Sequence, residues 1–375
     1  MIRLLVVEDQ KAQRTTIEDA VKLFNATAEV PFDIEFAENL TVAKTLLSSH
    51  IFNAAIVDLK LTGGGGNDQS GNDVLAEIIN IRPFPVVVHS GHLGDLDEKF
   101  EENLFFKKVE KGSVDLPILL AEIASIHAIG ISSVLGPGGV IEGYLSEIFW
   151  KHLAKSRDYW ASLGALSPES RKKALLRYAL LHVQENLELT EAGDFDQYVP
   201  AEFYVMEPIK PNLHTGDILQ ETHEGQTTSY SLVLSPACDV VLRPQNNPPT
   251  RNAEFILLVG LIPWNSVEKF KNLQSDTSAR NPSRESLQAW LENKKERFHF
   301  FPKYKGIGGW FADFQKLNTV SSVECDAGIA SGRFKRVASV SSPFTKDLLA
   351  RFSQYYSRQG APDFEKEKLY ANLFS

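Results

Sequence analysis

Three carboxylates follow short apolar runs in the first part of the chain. Glu8 and Asp9 come directly after residues 2–7, and Asp58 ends the run that begins at Ala54. Such runs are typical of buried strands in a parallel sheet, where ligands bind at the carboxyl ends of the strands. If these two strands are neighbours, the three carboxylates share one pocket and require a cation. Oxygen ligands with room for water and phosphate favour Mg²⁺.

Two more polar residues are expected at the same edge of the sheet. Ser90 ends the fourth apolar run, and Lys111 follows the fifth. Lys108, three residues earlier, competes with Lys111 for this role. A carboxylate nucleophile, a divalent cation, a hydroxyl group and an ammonium group together suit phosphoryl transfer. We therefore predict that Asp58 is the nucleophile and that Ser90 and Lys111 donate to the phosphoryl oxygens.

The elements that position these residues alternate between strand and helix. Apolar residues recur at helical spacing in some segments and form continuous runs in others. The pattern predicts strands at 2–7, 32–37, 53–58, 85–89 and 104–110, and helices at 10–24, 40–49, 71–81, 95–102 and 114–127. This order predicts an α/β fold with a doubly wound, five-stranded parallel sheet over residues 1–127.

Residues 1–127 resemble the response-regulator receiver domain of two-component signalling. The matching motifs are Leu4-Leu-Val-Val-Glu-Asp9, Ala55-Ile-Val-Asp58, Val86-Val-Val-His-Ser90 and Phe106-Lys-Lys-Val-Glu-Lys111. The resemblance implies a flavodoxin-like fold in which Asp58 takes a phosphoryl group from a histidine kinase or phosphotransfer protein. It also implies that Glu8, Asp9, Asp58 and the backbone carbonyl of Lys60 hold Mg²⁺. Phe105 or Phe106 would serve as the aromatic switch residue, and the glycine-rich loop 63–71 would alter access to Asp58.

Composition predicts a protein of two or three domains. The chain has 375 residues, of which 43% are hydrophobic and 23% charged, as in water-soluble globular proteins. The N-terminus lacks the pattern of a signal peptide, and two cysteines cannot build a disulfide framework, so we expect a cytoplasmic protein. Residues 1–127 hold 11 Lys and Arg against 20 Asp and Glu, which accounts for the whole formal charge of −9. Bulk charge therefore does not favour nucleic-acid binding.

The middle of the chain is predicted to be a linker followed by helices, over residues 128–200. Glycine and serine are frequent in residues 128–142. Two apolar stripes at helical spacing follow, and we expect both to be packing faces. Their residues are Leu145, Ile148, Phe149 and Leu153, then Leu175, Leu176, Ala179, Leu180 and Val183. Ser167 and Pro168 mark the start of the second helix.

Residues 201–375 are predicted to form a small, mostly β, barrel-like effector domain with a terminal helix. Strands are expected at 217–221, 230–235, 255–261, 298–301, 311–314 and 334–340, and the helix at 342–358. The order of elements in residues 213–357 is similar to that of the MazF/PemK toxin barrel. That resemblance implies an SH3-like barrel that binds nucleic acid or cuts RNA.

Other chemistry in this domain has weaker signals. Cys238 and Asp239 stand together, yet no histidine has a helpful spacing, so a buried structural cysteine is the preferred interpretation. His214, His223 and His299 lack the paired spacing of a zinc site. Cations and aromatic residues alternate in 331–358, which suits either single-stranded nucleic acid or a solvated helix face. The leading hypothesis is a response regulator controlling a partner-binding module, and the alternative is a receiver-controlled nuclease or nucleic-acid-binding protein.

Overall fold

A computed structural model describes the chain except for residues 62–69, 82, 83, 163, 165, 189–191, 195, 224–226, 244–248, 274–281, 359–362 and 375. The chain forms two compact units, Met1–Asp196 and Gln197–Ser375, here called the first and second units. The glycine-rich loop falls largely outside the described residues, so its effect on access stays a prediction. No single helix in the described ranges is long and apolar enough to cross a membrane, although the bent pair Leu116–Ala128 and Ile131–Ser162 meets the same criteria jointly.

The first unit contains the predicted five-stranded sheet. Its strands are β1 (Ile2–Val7), β2 (Phe32–Ala37), β3 (Ala54–Val57), β4 (Val86–Ser90) and β5 (Phe106–Glu110). All four ladders are parallel, and the strand order is β2-β1-β3-β4-β5. β1 and β3 are therefore neighbours, with Val7 opposite Val57, so the residues that follow both strands emerge side by side.

Both faces of this sheet are buried, which explains the continuous apolar runs. Alternate side chains along a strand point to opposite faces. Leu5, Val7 and Val57 join one core, and Leu4, Val6 and Ile56 join the other. The sheet lies between two helical layers. Helices α2 (Leu40–Ser49) and α3 (Ser70–Ile81) cover the first face, and α1 (Lys11–Asn25) and α4 (Leu116–Ala128) cover the second.

The helix predicted at 95–102 is wrong. Between β4 and β5 the described chain has only one 3₁₀ turn, Leu93–Asp95. Asn72 on α3 explains the difference, because its side chain takes up backbone groups of this segment. Its Nδ2 donates to the Asp95 carbonyl at 2.9 Å, and its Oδ1 accepts from the Asp97 N–H at 3.1 Å. These two hydrogen bonds hold the backbone of the segment, which forms isolated 3₁₀-type hydrogen bonds but no α-helix.

The middle of the chain is helical, as expected, and belongs to the first unit. It contains α5 (Ile131–Leu135), α6 (Val140–Ile148), α7 (Arg157–Ser162) and α8 (Pro168–Leu187). Ser167 caps α8 by accepting from the Ser170 N–H at 3.2 Å. The packing prediction for the stripe on α8 is confirmed only in part, since Leu175, Ala179 and Val183 are half-buried whereas Leu176 and Leu180 are exposed. In the earlier stripe Ile148 is buried, whereas Leu145 and Phe149 are exposed.

The second unit is built on one antiparallel sheet of seven strands, ordered β10-β11-β9-β8-β7-β12-β6. The strands are β6 (Tyr204–Met206), β7 (Asp217–Thr222), β8 (Thr228–Val233), β9 (Phe255–Pro263), β10 (Phe298–Phe301), β11 (Trp310–Ser321) and β12 (Phe334–Val340). The predicted β-rich domain is confirmed. β11 is longer than expected because an irregular register between Ala312 and Leu317 lets the ladder continue. β6 was not predicted from the sequence, because three residues are too few to show the alternation of apolar and polar side chains that indicates a strand.

The described residues of this unit also form five α-helices. They are α9 (Ala237–Val240), α10 (Pro282–Leu291), α11 (Ser322–Ser331), α12 (Ser342–Ser357) and α13 (Lys366–Leu373). α12 is the predicted terminal helix, and Leu348 and Phe352 pack its inner face against the sheet's core. The similarity to the toxin barrel stays a prediction.

Candidate phosphoacceptor site

The three predicted carboxylates lie together at the carboxyl edge of the parallel sheet. Glu8 and Asp9 follow β1, and Asp58 follows β3. The backbone N–H of Asp58 donates to the Val7 carbonyl at 2.9 Å. One carboxylate oxygen from each residue lies within 4.8 Å of the others. Glu8 and Asp58 are buried, and Asp9 is half-buried. The parallel pairing of β1 with β3 is therefore what gathers the acids.

Lys111 is the lysine that reaches this pocket. Its Nζ lies 2.6 Å from Asp58 Oδ2 and 2.7 Å from Glu8 Oε2. The side chains of Lys111, Asp58 and Glu8 are only 18%, 5% and 2% exposed. Lys108 instead lies within β5, where its backbone N–H donates to Glu102. The geometry thus resolves the two lysines that the sequence left in competition.

Burial and charge shift the protonation of these groups. Burial raises the pKa of Glu8 above its ordinary value, although Lys111 acts in the opposite direction. Burial also opposes the charged form of Lys111, but hydrogen bonds to Asp58 and Glu8 prevail and its pKa is raised. Next to them, burial and the charge of Lys111 lower the pKa of His89, which favours the neutral imidazole. The ammonium group of Lys111 is thus shared between two carboxylates, Glu8 and Asp58.

Ser90 and Lys60 also lie at this edge. Ser90 is fully buried at the end of β4; its Oγ accepts from the His92 N–H at 3.2 Å, and its carbonyl accepts from the Lys111 N–H at 3.2 Å. The backbone N–H of Lys60 lies 3.4 Å from Asp58 Oδ1, and its ammonium group pairs with Asp95 at 2.9 Å. The metal-binding role of the Lys60 carbonyl stays a prediction.

Sequence reasoning missed two residues that shape the pocket. Arg14 Nη1 donates to the carbonyls of Glu8 and Asp9, each at 3.0 Å, and so holds the acidic turn in place. Arg14 could have been recognised in the sequence as a long cationic side chain in the first turn of the helix that follows the acid pair. Gly71 lies so close to the backbone after β3 that a Cβ there would approach the Asp58 carbonyl oxygen to 2.6 Å. Glycine at this position lets α3 start beside the acceptor.

The donor set fits a hard divalent cation. Three carboxylates face one ammonium group in a largely buried pocket. A second cation would reduce the remaining negative charge, and carboxylate oxygens are the ligands that Mg²⁺ and Mn²⁺ prefer. Glu8, Asp9 and Asp58 are the side chains that could hold such an ion.

No protein-family model matches the chain, and no curated protein matches it. Solved structures do match it. A CheY-like receiver domain from Methylobacillus flagellatus is 21% identical, and the match covers 34% of this chain and 98% of that one with a TM-score of 0.27. The signal receiver domain of an HD domain-containing protein from Pseudomonas fluorescens Pf-5 is 19% identical, with coverages of 35% and 98% and a TM-score of 0.29. The Mn²⁺-bound form of response regulator Rcp1 is 22% identical, with coverages of 36% and 99% and a TM-score of 0.26.

The strand order and the parallel ladders decide the fold. The sheet of the first unit has the receiver fold. The predicted resemblance to receiver domains is confirmed at this level. Of the two candidates for the aromatic switch, Phe106 is buried and stacks on Phe100 with ring centroids 5.7 Å apart, whereas Phe105 is half-buried, and the switch role stays a prediction.

The candidates in the second unit are not gathered into a comparable site. Cys238 is exposed, which corrects the prediction of a buried cysteine, and its Sγ lies 3.7 Å from Asp239 Oδ1. Cys238 lies on α9, a single helical turn, and the sequence around it did not indicate that its side chain is exposed. In the part of the chain that the structure describes, only the acid cluster of the first unit brings three side chains close enough together to hold a metal ion. His214, His223 and His299 do not form another.

Much of the predicted basic patch is neutralised within the unit. Arg333 pairs with Glu221 and Glu324, Arg336 pairs with Asp217, and Arg358 pairs with Glu296. The interleaved aromatic residues Phe334, Phe344, Phe352 and Tyr355 pack against the unit's cores. This arrangement matches the solvated-face interpretation and does not favour nucleic acid.

Proposed function

We propose that the protein is a two-component response regulator that accepts a phosphoryl group on Asp58. The observation that supports this function is the contact of the buried Asp58 carboxylate with Lys111 inside a cluster of two further acids. A histidine kinase or a phosphotransfer protein would be the donor. The second unit would be the effector or partner-binding module that the first unit controls.

The residues of this chain have distinct roles in the proposed transfer. A carboxylate oxygen of Asp58 attacks phosphorus, a P–O bond forms, and the P–N bond to the donor histidine breaks. Lys111 already lies 2.6 Å from one Asp58 oxygen, so its ammonium group can stabilise negative charge that develops beside the acceptor. Ser90 offers a hydroxyl group at the end of the neighbouring strand. Glu8, Asp9 and Asp58 would hold Mg²⁺, with the Lys60 carbonyl as a further ligand.

A bound Mg²⁺ would supply charge neutralisation for phosphoryl oxygens. The phosphoryl group would carry about −1.5 to −2 charges in place of the −1 of the Asp58 carboxylate, so the charge beside Lys111 would become more negative by about 0.5 to 1. The ammonium group would then have a stronger anionic partner than the Asp58 carboxylate. A change in the contacts of Lys111 is the local event that we expect to alter the signalling state.

The test is uptake of a phosphoryl group by the full-length protein. Acetyl phosphate with Mg²⁺ should add one phosphoryl group to the wild type, as seen by intact mass spectrometry. Asp58→Asn should take up none, whereas Asp95→Asn, at an exposed carboxylate near the same edge, should behave like the wild type. Equal labelling of Asp58→Asn and wild type would refute the assignment.

Cation binding needs a separate measurement that does not depend on turnover. Mn²⁺ titration followed by electron paramagnetic resonance should give one site in the wild type. Asp9→Asn should weaken that site because it removes one of the three clustered carboxylates. Binding of the same strength in both proteins would exclude Asp9 as a ligand.

A further inference from the structure

A recessed cavity, here called the β4–β5 cavity, lies in the first unit beside the first residues of β4 and β5. Its volume is about 440 Å³, within the range of about 300–1,000 Å³ that is usual for small-molecule sites. Phe84, Val86, Phe100 and Phe106 line it, and none of these four side chains is more than 6% exposed. The cavity is therefore a recess in the core and differs from an apolar patch on an exposed helix face.

The segment between β4 and β5, which forms no α-helix, provides one wall of this cavity. Asn72 holds its first part through the two hydrogen bonds described above. At its other end, Asn103 Oδ1 accepts from the backbone N–H groups of Phe105 and Phe106 at 2.8 and 3.1 Å. The Phe100 ring stacks on that of Phe106 with 25° between the ring planes. Because these contacts fix the wall in advance, a ligand would not have to order it on binding.

Ser132 on α5 adds a polar group to the lining. The residue is 3% exposed, and its hydroxyl group has no hydrogen-bond partner. A buried hydroxyl group without a partner is unfavourable, so such groups are rare in folded proteins. Because no partner fixes the rotamer of Ser132, its hydroxyl group can turn to a ligand in the cavity and either donate to it or accept from it.

The charged residues of the cavity lie at its rim. Lys99 and Glu101 are exposed, and the ammonium group of Lys99 already pairs with Asp97 at 2.7 Å. Among the described residues that line the cavity, none with a charged side chain is buried. An ionised group that entered the cavity would lose its hydration without gaining an oppositely charged partner, which is unfavourable. The buried part of a ligand should therefore be uncharged.

The aromatic lining favours a ring, because flat rings gain energy when they stack or meet edge to face. We propose that the β4–β5 cavity binds a small, uncharged, planar ring compound that carries one hydrogen-bonding group, and that Ser132 contacts this group. The site is separate from the phosphoacceptor edge. Val86 and Phe106 lie opposite each other at the start of their strands, whereas Ser90 ends β4 about 13 Å further along. The proposal therefore does not depend on phosphorylation of Asp58.

Three probes of similar size test the ligand class on the full-length protein. Indole has a planar ring and an N–H donor, indene has a ring of the same shape without the donor, and 1-octanol has a hydroxyl group on a flexible chain. In a titration followed by saturation-transfer difference NMR, indole should bind one site with a dissociation constant of about 1 mM or below, as expected for about nine non-hydrogen atoms. Indole should also bind more tightly than 1-octanol. The absence of saturable indole binding, or tighter binding of 1-octanol, would overturn the proposal.

Three variants locate the site. Ser132→Ala should weaken indole binding about tenfold and should not weaken indene binding, because only indole can use the hydroxyl group. An unchanged indole affinity, or an equal loss for both probes, would refute the contact with Ser132. Ile79 lines the cavity and is 48% exposed, so Ile79→Trp should obstruct it and weaken indole binding at least tenfold. Ile51→Trp is the matched control, because Ile51 is 42% exposed and does not line the cavity. Circular dichroism should show all three variants folded, and equal indole binding by the two tryptophan variants would overturn the proposal.

Discussion

Replacing Lys111 with methionine tests how the acid pocket is stabilised. Lys111 Nζ contacts Asp58 Oδ2 at 2.6 Å and Glu8 Oε2 at 2.7 Å, and methionine keeps the length of the side chain while removing its charge. Removing one partner of a buried ion pair costs about 3–5 kcal/mol. Because Lys111 is 18% exposed and its charge is partly solvated, we expect Lys111→Met to lose about 2–3 kcal/mol without divalent cations.

The loss should be restored in part by Mg²⁺ or Mn²⁺. A ligand that binds only the folded state stabilises it by about 2.7 kcal/mol when its concentration is 100 times its dissociation constant. In Lys111→Met the pocket keeps three acids and has lost its ammonium group, so a saturating cation should stabilise this variant more than the wild type. The cation and the lysine would then be partial substitutes for each other.

The assay is native-state hydrogen exchange of the β1 and β3 amides, which reports the opening free energy of the sheet within the full chain. Lys108→Met is the matched control, because its side chain lies three residues earlier on β5 and its backbone N–H bonds to Glu102. The control should stay within about 0.5 kcal/mol of the wild type, the range of ordinary surface substitutions. Equal opening free energies for the two variants would refute the role given to Lys111.

Three further predictions address the cation, the acceptor loop and the second unit. Burial raises the pKa of Glu8, so protons should compete with Mn²⁺ and its affinity should begin to fall at a higher pH than an ordinary carboxyl group would give. Glu8→Gln should flatten this dependence in a titration series. Gly71→Ala should destabilise the first unit by about 1–3 kcal/mol, because its Cβ would lie 2.5 Å from Leu59 Cα, whereas Gly94→Ala meets nothing within 4 Å and should be nearly neutral in urea unfolding. Asp217→Asn should destabilise β7 by about 3 kcal/mol, because buried Asp217 accepts from Arg336 Nε at 2.8 Å and Ser339 Oγ at 2.5 Å. Hydrogen exchange of the β7 amides measures this loss, and Asp363→Asn, at an exposed carboxylate, is the control. Unchanged exchange in Asp217→Asn would show that the charge of Asp217 does not stabilise β7.

Much of the first unit could be predicted because each local signal is strong. The run that became β3 is apolar throughout and those that became β1 and β4 are largely so, and parallel strands covered on both faces require that composition. Their alternation with helices fixes the sheet class, and polar residues just after the strands indicate its ligand-binding edge. The segment after β4 could not be predicted, because Asn72 on a different helix binds its backbone.

The sequence by itself determined which side chains stand at the ends of the strands, since that depends on order along the chain. Only the tertiary structure decided which of them meet. Lys111 rather than Lys108 contacts Asp58, and Arg14 holds the turn that carries Glu8 and Asp9. These contacts depend on where neighbouring elements place long side chains in three dimensions. For the same reason the spacing on α8 predicted a packing face, whereas the fold leaves Leu176 and Leu180 of that face exposed.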